Sequence, residues 1–482
     1  MPPTIVHLSA EYFPFARTGG LAEAVNGLAN VQARQGHAVV VFLPLYRSVR
    51  EQAPDLAPLG RTYTVHLGPS VEEVRYFRAA KQDDGPRVVF IDHPHFFNRS
   101  GIYGEHGRDY PDNAERYALF CLAVLEAIPR LIQGDVIVHA HDWHTGPVFG
   151  YARTYGVYRE RYARVPMVMS VHNGGYQGHF PETAVERLGI PRELYTFRNA
   201  EWYGRLNFLK MGLTNADCAA TVSPNHAREL TTPGGGFGLQ DVYQWMGDRF
   251  TGITNGIDQR QWDPATDVHI AANYSREALH QKARNKAALQ RTFGLPQRKK
   301  APVFGMAARL VTQKGIAIIL KSHRVQSLDA QFIFLGSGEP RFEDALSKLA
   351  SRRPANVAVQ LAFTDLLEHK LIAGADLLLM PSQYEPCGLT QMRAQRYGTL
   401  PVARRVGGLA DTIADDVTGF LFDDYHAAAL DWAIDRALKR YANADGWAKR
   451  MRAAMSQDFA WERSAEKYAA LYRRASDIAS RR

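Results

Sequence analysis

A carboxylate and a glycine turn stand together in Tyr384-Glu385-Pro386-Cys387-Gly388-Leu389-Thr390, directly after the apolar run Leu377-Leu378-Leu379-Met380. The run reads as a buried parallel strand, and the residues after the turn read as a helix. A charged side chain and several backbone N–H groups then lie at the carboxyl end of a sheet, where α/β folds bind ligands. That placement suits a substrate with an anionic leaving group. Two cations upstream carry the same chemistry, Arg309 after a strand and Lys314 in Gln313-Lys314-Gly315. A forked guanidinium and a compact ammonium beside a helix start suit a diphosphate, the alternative being a solvated basic turn. Glu385 could instead be no more than a helix-start carboxylate favoured by the macrodipole. Cys387 has no histidine in its own motif, so a thiolate nucleophile is not indicated.

The first half holds three more polar strand ends. Arg17-Thr18-Gly19-Gly20-Leu21 precedes a helical pattern, and paired glycines let backbone amides approach a phosphate; an ordinary glycine turn is the competing reading. The third glycine of a dinucleotide fingerprint is missing. His139-Ala140-His141-Asp142-Trp143-His144 has the composition of a metal site. Alternate strand residues point to opposite faces, so these side chains do not all converge on one ion, and a polar substrate loop is the expectation. His172, in Ser170-Val171-His172-Asn173-Gly174-Gly175, also ends a strand, where it can meet a substrate hydroxyl.

The elements that must position these residues alternate strand and helix. Strands are expected at 5–10, 38–43, 88–91, 136–140, 166–171 and 219–222, then at 303–306, 331–335, 357–361, 377–380 and 400–403, with a helix over 22–35 ended by Gly36. This is an α/β chain of stacked βαβ units, and 482 residues exceed a single core. The expected division is an N-terminal domain over 1–252, a turn-rich hinge over 253–264, a second domain over 265–450 and a terminal helical stretch, 451–482, that packs back on the first domain. Both are expected to be doubly wound, Rossmann-like domains facing a central cleft. A net charge of +9 invites a nucleic-acid partner, but the basic residues are scattered and carry no zinc-ligand or aromatic signature. No apolar run reaches the ~20 residues of a membrane span, and the first residues lack a signal-like pattern. Three cysteines argue for a reducing compartment, hence the cytoplasm.

Taken together these motifs resemble those of bacterial glycogen synthases and plant starch synthases, retaining glucosyltransferases of the two-Rossmann-domain, GT-B type. The resemblance runs over nearly the whole chain, through Ser9-Ala10-Glu11, His141-Asp142-Trp143-His144, Asn207-Phe208-Leu209-Lys210, Asn255-Gly256-Ile257-Asp258 and the Glu385–Thr390 segment with Arg396-Tyr397-Gly398-Thr399. It implies transfer of glucose from ADP-glucose to the non-reducing end of an α-1,4-glucan, without a cofactor or divalent metal. Arg309 and Lys314 would neutralise the departing diphosphate. Glu385 would bind the transferring sugar with the amides near Gly388 and Leu389, flanked by Cys387 and Thr390, and His172 would contact it near the reacting carbon. Arg17, Gly19, Gly20 and Glu23 would bind substrate, Tyr103, Asp142 and Asn207 would line the sugar and acceptor side, and Phe363 would stack on the base where the family usually has tyrosine. Arg17 for lysine, Glu23 for aspartate and Gly174-Gly175 for bulkier residues depart from the family pattern, the last opening space beside His172. The alternatives are UDP-glucose as donor, a short maltooligosaccharide as acceptor, or a non-catalytic glucan-binding regulator.

Overall fold

The computed structural model describes residues 2–53, 55–79, 84–105 and 107–482. The chain forms two compact units: Met1–Gly256 with Trp461–Arg482, and Ile257–Ala460. In the first, one large sheet runs Phe250–Gly252, Cys218–Thr221, Met167–Val171, Val136–His141, Thr4–Leu8, Val39–Pro44, Arg87–Asp92, Ser70–Arg78 and Ala57–Pro58, with Tyr63–Leu67 paired to Ser70–Arg78. Its central strands are parallel. Val39–Pro44, with the sequence VVVFLP, is buried throughout, as expected of a strand covered by helices on both faces. The helix Gly20–Arg34 buries Leu21, Ala24, Val25, Leu28 and Val31, the spacing of one helical face.

The antiparallel edge formed by 57–58, 63–67 and 70–78 lies outside the sequence expectation, as does a small sheet of His179–Pro181, Arg205–Asn207 and Glu201–Trp202. These strands lack the apolar runs that mark the central strands: Ser70–Arg78 is interrupted by Glu72, Glu73 and Arg75, and the others are five residues or fewer.

The second unit carries a wholly parallel sheet in the order Val357–Gln360, Gln331–Leu335, Val303–Ala307, Leu377–Met380, Leu400–Arg404, Phe420–Phe422. The chain enters this unit at Ile257 and leaves at Ala460, residues joined in a parallel bridge. The segment after Ile257 packs against this unit: Trp262 lies flat on His369 with ring centroids 3.8 Å apart, and Asp263 pairs with Arg396 at 2.9 Å. The terminal helical stretch is in fact two helices, Ala444–Met455 in the second unit and Trp461–Ser480 in the first. Between them Asp458 accepts the amide of Ala460 at 3.0 Å, closing a turn directly before the second helix. No helix of the described residues is long and apolar enough to cross a membrane.

Candidate active site

In the second unit, the strand Leu377–Met380 delivers Glu385 to the sheet's carboxyl end, where the carboxylate is nearly buried. Lys314 Nζ bonds Glu385 Oε2 at 2.6 Å, and Ser382 Oγ donates to the same oxygen at 2.9 Å. The loop around Glu385 is held by side chains, Gln313 donating to the Tyr384 carbonyl and Gln391 to that of Cys387, and by backbone. Gly408 N–H donates to the Glu385 carbonyl at 3.0 Å, and Gly407, at φ +44°, lies so close that an added Cβ would sit 1.8 Å from that oxygen. The helix Thr390–Arg396 starts directly after Gly388 and Leu389. Its first amides have no acceptor within the helix, and those of Gly388, Leu389 and Thr390 have none elsewhere among the described residues. Cys387 is buried beside them. Arg309 is exposed at the end of Val303–Ala307 and has no ion-pair partner among the described residues. The unit therefore presents one bonded cation, one free cation and a row of unused amides, the fittings of an anion site. Arg404 and Arg405, by contrast, are tied to Asp423 and Gln383.

In the first unit the glycine loop is already filled. Glu11, buried just beyond the strand Thr4–Leu8, accepts from the Thr18 and Gly19 amides at 2.6 and 3.1 Å, from Thr18 Oγ1 at 2.7 Å and from Tyr103 OH at 2.6 Å. The phosphate reading of the paired glycines is corrected at Gly19, whose N–H, with that of Thr18, points at the protein's own carboxylate. Glu11 escaped the sequence reading as a structural anion; its signal was a carboxylate seven residues before a Thr-Gly-Gly turn. Gly20 opens the helix Gly20–Arg34, and Arg17 pairs with Glu23 at 3.3 Å.

Asp142 closes the strand Val136–His141 with a left-handed backbone, φ +59°, which a non-glycine residue adopts only at a cost. Its Oδ1 accepts the amides of His172 and Asn173 at 2.7 and 3.3 Å, fixing the turn that carries His172. Burial pushes its carboxyl up to about 7, against the pull of those two amides. The His172 ring bonds His141 Nδ1 through Nε2 at 3.0 Å. The histidines of the 139–144 run do not all converge, but His139 and His141 share a face, and His7 from the neighbouring strand joins them with ring nitrogens within 4.8 Å. Alternation along one strand separates neighbours; it cannot show what the adjacent strand brings.

Residues 4–245 match the family model described as "Starch synthase catalytic domain", and residues 291–455 match "Glycosyl transferases group 1". A glycogen synthase of Anaeromyxobacter sp. (strain Fw109-5) is 42% identical over 476 residues, covering 97% of this chain and 98% of that protein. Glycogen synthase 2 of Geobacter sulfurreducens is 39% identical, covering 98% and 99%. The chain belongs to the glycogen and starch synthase family. Among solved structures, the catalytic domain of starch synthase IV from Arabidopsis thaliana, bound to ADP and acarbose, matches with a TM-score of 0.90 at 31% identity, over 99% of this chain and 100% of that one. The fold of this family member is GT-B, and it is a glycosyltransferase.

Of three residues that the family resemblance singled out, Asn207 and Gly174 sit differently from expectation. Asn207 is fully buried: its Oδ1 caps the helix Phe208–Asn215 through Lys210 N–H at 2.8 Å, and its Nδ2 donates to Gln177 at 2.8 Å. Its side chain serves the fold. Gly174 opens no space beside His172, because Leu230 Cδ2 lies 2.8 Å and the Tyr243 hydroxyl 3.4 Å from where a Cβ would stand. Phe363 lies between the strand Val357–Gln360 and the helix Asp365–Gly374 with 39% of its surface exposed, free to receive a flat ring.

Proposed function

We propose that this glycosyltransferase moves glucose from ADP-glucose to the non-reducing end of an α-1,4-glucan, with retention of the α configuration. The observation that carries the reading is the grouping, at the carboxyl ends of parallel strands, of Lys314, Glu385, Arg309 and the amides of Gly388–Thr390, the last two without partners among the described residues. As the glycosidic bond breaks, charge builds on the departing diphosphate. Fixed cations and oriented amides stabilise that charge without reorganising, and Arg309 with Lys314 supplies two positive charges without a divalent metal. Glu385 and the Gly388 and Leu389 amides hold the sugar hydroxyls, His172 contacts the sugar near the reacting carbon, and Phe363 stacks on the base. Asp142 orients His172, Tyr103 lines the acceptor side, and Glu11 shapes the Arg17–Glu23 loop beside it. Adenine as the base is supported by the likeness to starch synthase IV, whose structure holds ADP. A cytoplasmic location fits three free, buried cysteines.

The test is transfer of labelled glucose from ADP-glucose and from UDP-glucose onto glycogen and onto maltose, with the anomeric form of the new linkage read by NMR. Faster transfer from UDP-glucose would overturn the donor assignment; no transfer from either would overturn the reaction.

A further inference from the structure

Behind His172 a chain of buried polar groups runs through the first unit. The oxygen of the Gln32 amide lies 2.8 Å from His7 Nε2, His7 Nδ1 lies 2.9 Å from His141 Nε2, and His141 Nδ1 lies 3.0 Å from His172 Nε2. From the other side of the same amide, Gln32 Nε2 donates to the Tyr472 hydroxyl at 2.9 Å. That hydroxyl lies 2.8 Å from His139 Nδ1, and His139 Nε2 lies 2.7 Å from Ser170 Oγ. His7, His139 and His141 are wholly buried and Gln32 is nearly so. The sheet explains the assembly: His7 and His139 are register partners on adjacent strands, and His141 is opposite Ser170 on the next. Tyr472 comes from the terminal helix, Gln32 from the helix Gly20–Arg34.

The spacing of the three rings is that of a metal site, but every one of their six nitrogens already faces a protein partner. A hydrogen-bonded wire accounts for all of them. Burial lowers the rings' basicity, to about 4 for His7 and about 3 for His172, with His139 and His141 lowered further by neighbouring histidines. Each ring is therefore neutral near pH 7 and has one N–H and one bare nitrogen. A row of such rings has a single polarity. The Gln32 oxygen can only accept, so His7 carries its proton on Nε2 and accepts at Nδ1; His141 must then donate from Nε2, and His172 likewise. On the second branch Tyr472 receives from Gln32 and donates to His139, which donates to Ser170. Turning the amide over would reverse every proton on both branches, so the polarity is set at Gln32.

We propose that Gln32 is a positioning residue for glucosyl transfer: through His7 and His141 its amide holds His172 in the Nε2–H form, so that Nδ1 meets a sugar hydroxyl as an acceptor. This rests on the reading above that His172 contacts the transferring sugar. A histidine whose polarity wandered would offer a donor to the same hydroxyl for part of the time and lose that contact.

The experiment is long-range proton–nitrogen NMR of the full-length protein labelled with ¹⁵N-histidine, in which the two neutral forms of imidazole are distinguished, with assignments from His7→Gln, His141→Gln and His172→Gln. The wild type should show Nε2–H at all three rings. Gln32→Met should leave His172 a mixture and lower kcat roughly tenfold with KM for the donor little changed. Gln32→Glu, whose carboxylate can only accept, should keep His172 as Nε2–H and retain most of kcat. An Nδ1–H His172 in the wild type would overturn the proposal, as would a Gln32→Met protein with unchanged tautomer and kcat. Should Gln32→Met fail to fold, the wild-type spectrum alone decides. Full transfer by His172→Ala would instead remove the sugar-contact reading, an outcome visible separately from the tautomer.

Discussion

Replacing Lys314 by methionine removes one charge while keeping a stem of similar length, and its two consequences can be separated. The first is structural. Lys314 Nζ and Glu385 Oε2 are 2.6 Å apart, with 19% and 7% of their side-chain surface exposed. Removing one partner of a fully buried pair costs ~3–5 kcal/mol; since water reaches part of Lys314, about 1–3 kcal/mol is expected here. Ser382 still donates to the carboxylate at 2.9 Å, which keeps the cost toward the lower end. The second consequence is chemical. A cation ~4 Å from a developing charge is worth about 4 kcal/mol at an effective dielectric of ~20, and one preorganised donor to an oxyanion is worth roughly 2.7–4 kcal/mol. Both figures put the loss of kcat at about 10²–10³-fold. The assay is initial-rate glucose transfer onto glycogen, with glucan binding measured separately and expected to be unchanged. Adding Glu385→Gln to Lys314→Met should recover the thermal midpoint, since a neutral amide needs no counter-ion, while turnover stays low. A Lys314→Met enzyme whose kcat stays within about threefold of wild type would refute the leaving-group role. Joint recovery of midpoint and turnover in the double variant would show that the loss had been one of folding.

Gly407→Ala places a methyl 1.8 Å from the Glu385 carbonyl at φ +44°, so it should cost at least ~2 kcal/mol and abolish transfer, whereas Gly19→Ala, at φ −161° with nothing within 4 Å of its Cβ, should keep the wild-type midpoint; calorimetry and the transfer assay read both. Asp142 keeps its proton to about pH 7 when folded but releases it near 4 when unfolded, so between those values the folded state binds more protons and loses stability as pH rises. Asp142→Asn, which can still accept from His172 and Asn173, should gain up to about 4 kcal/mol on wild type across that window and no more above it, measured by urea unfolding at several pH values. Glu11→Gln offers one acceptor oxygen where four donors converge, and should destabilise by ~2–3 kcal/mol in the same urea experiment.

Much of the fold was legible because parallel strands buried on both faces leave uninterrupted apolar runs. Val39–Pro44, Gln331–Leu335 and Leu377–Met380 stand out in the sequence for that reason, and in the structure they are central strands. The antiparallel edge Ser70–Arg78 was missed because it has only one buried face and so no apolar run, while the adjacent pairs Glu72-Glu73 and Tyr76-Phe77 break the alternation that would mark such a strand. Phe420–Phe422 is short, and three residues give no period to detect. The break between the two last helices holds a turn in which Asp458 accepts an amide two residues on, a local bond that helical periodicity does not register.

The candidate site divides along a sharper line. A Gly-Gly turn and a cation-rich turn carry the same sequence message, that amides or charges await an anion, and the two units answer it oppositely. At Thr18-Gly19 the anion is internal: Glu11 takes both amides and Tyr103 besides, so the loop is a closed structural knot whose rigidity serves what lies around it. At Gly388–Thr390 the amides have no acceptor among the described residues, and although Glu385 is satisfied by Lys314, Arg309 has no ion-pair partner among those residues. Unspent polar capacity, rather than glycine content, is what marks a ligand site, because a folded chain pairs its buried donors wherever it can. By the same accounting His172 is half spent: one ring nitrogen is committed to His141 and one is left for substrate, and whether that nitrogen accepts or donates is settled at Gln32, on a helix packed beneath the sheet. Residues at a strand's end are readable from sequence by their types; whether they are already paired is a property of strands and helices hundreds of residues away, and only the assembled sheet reports it.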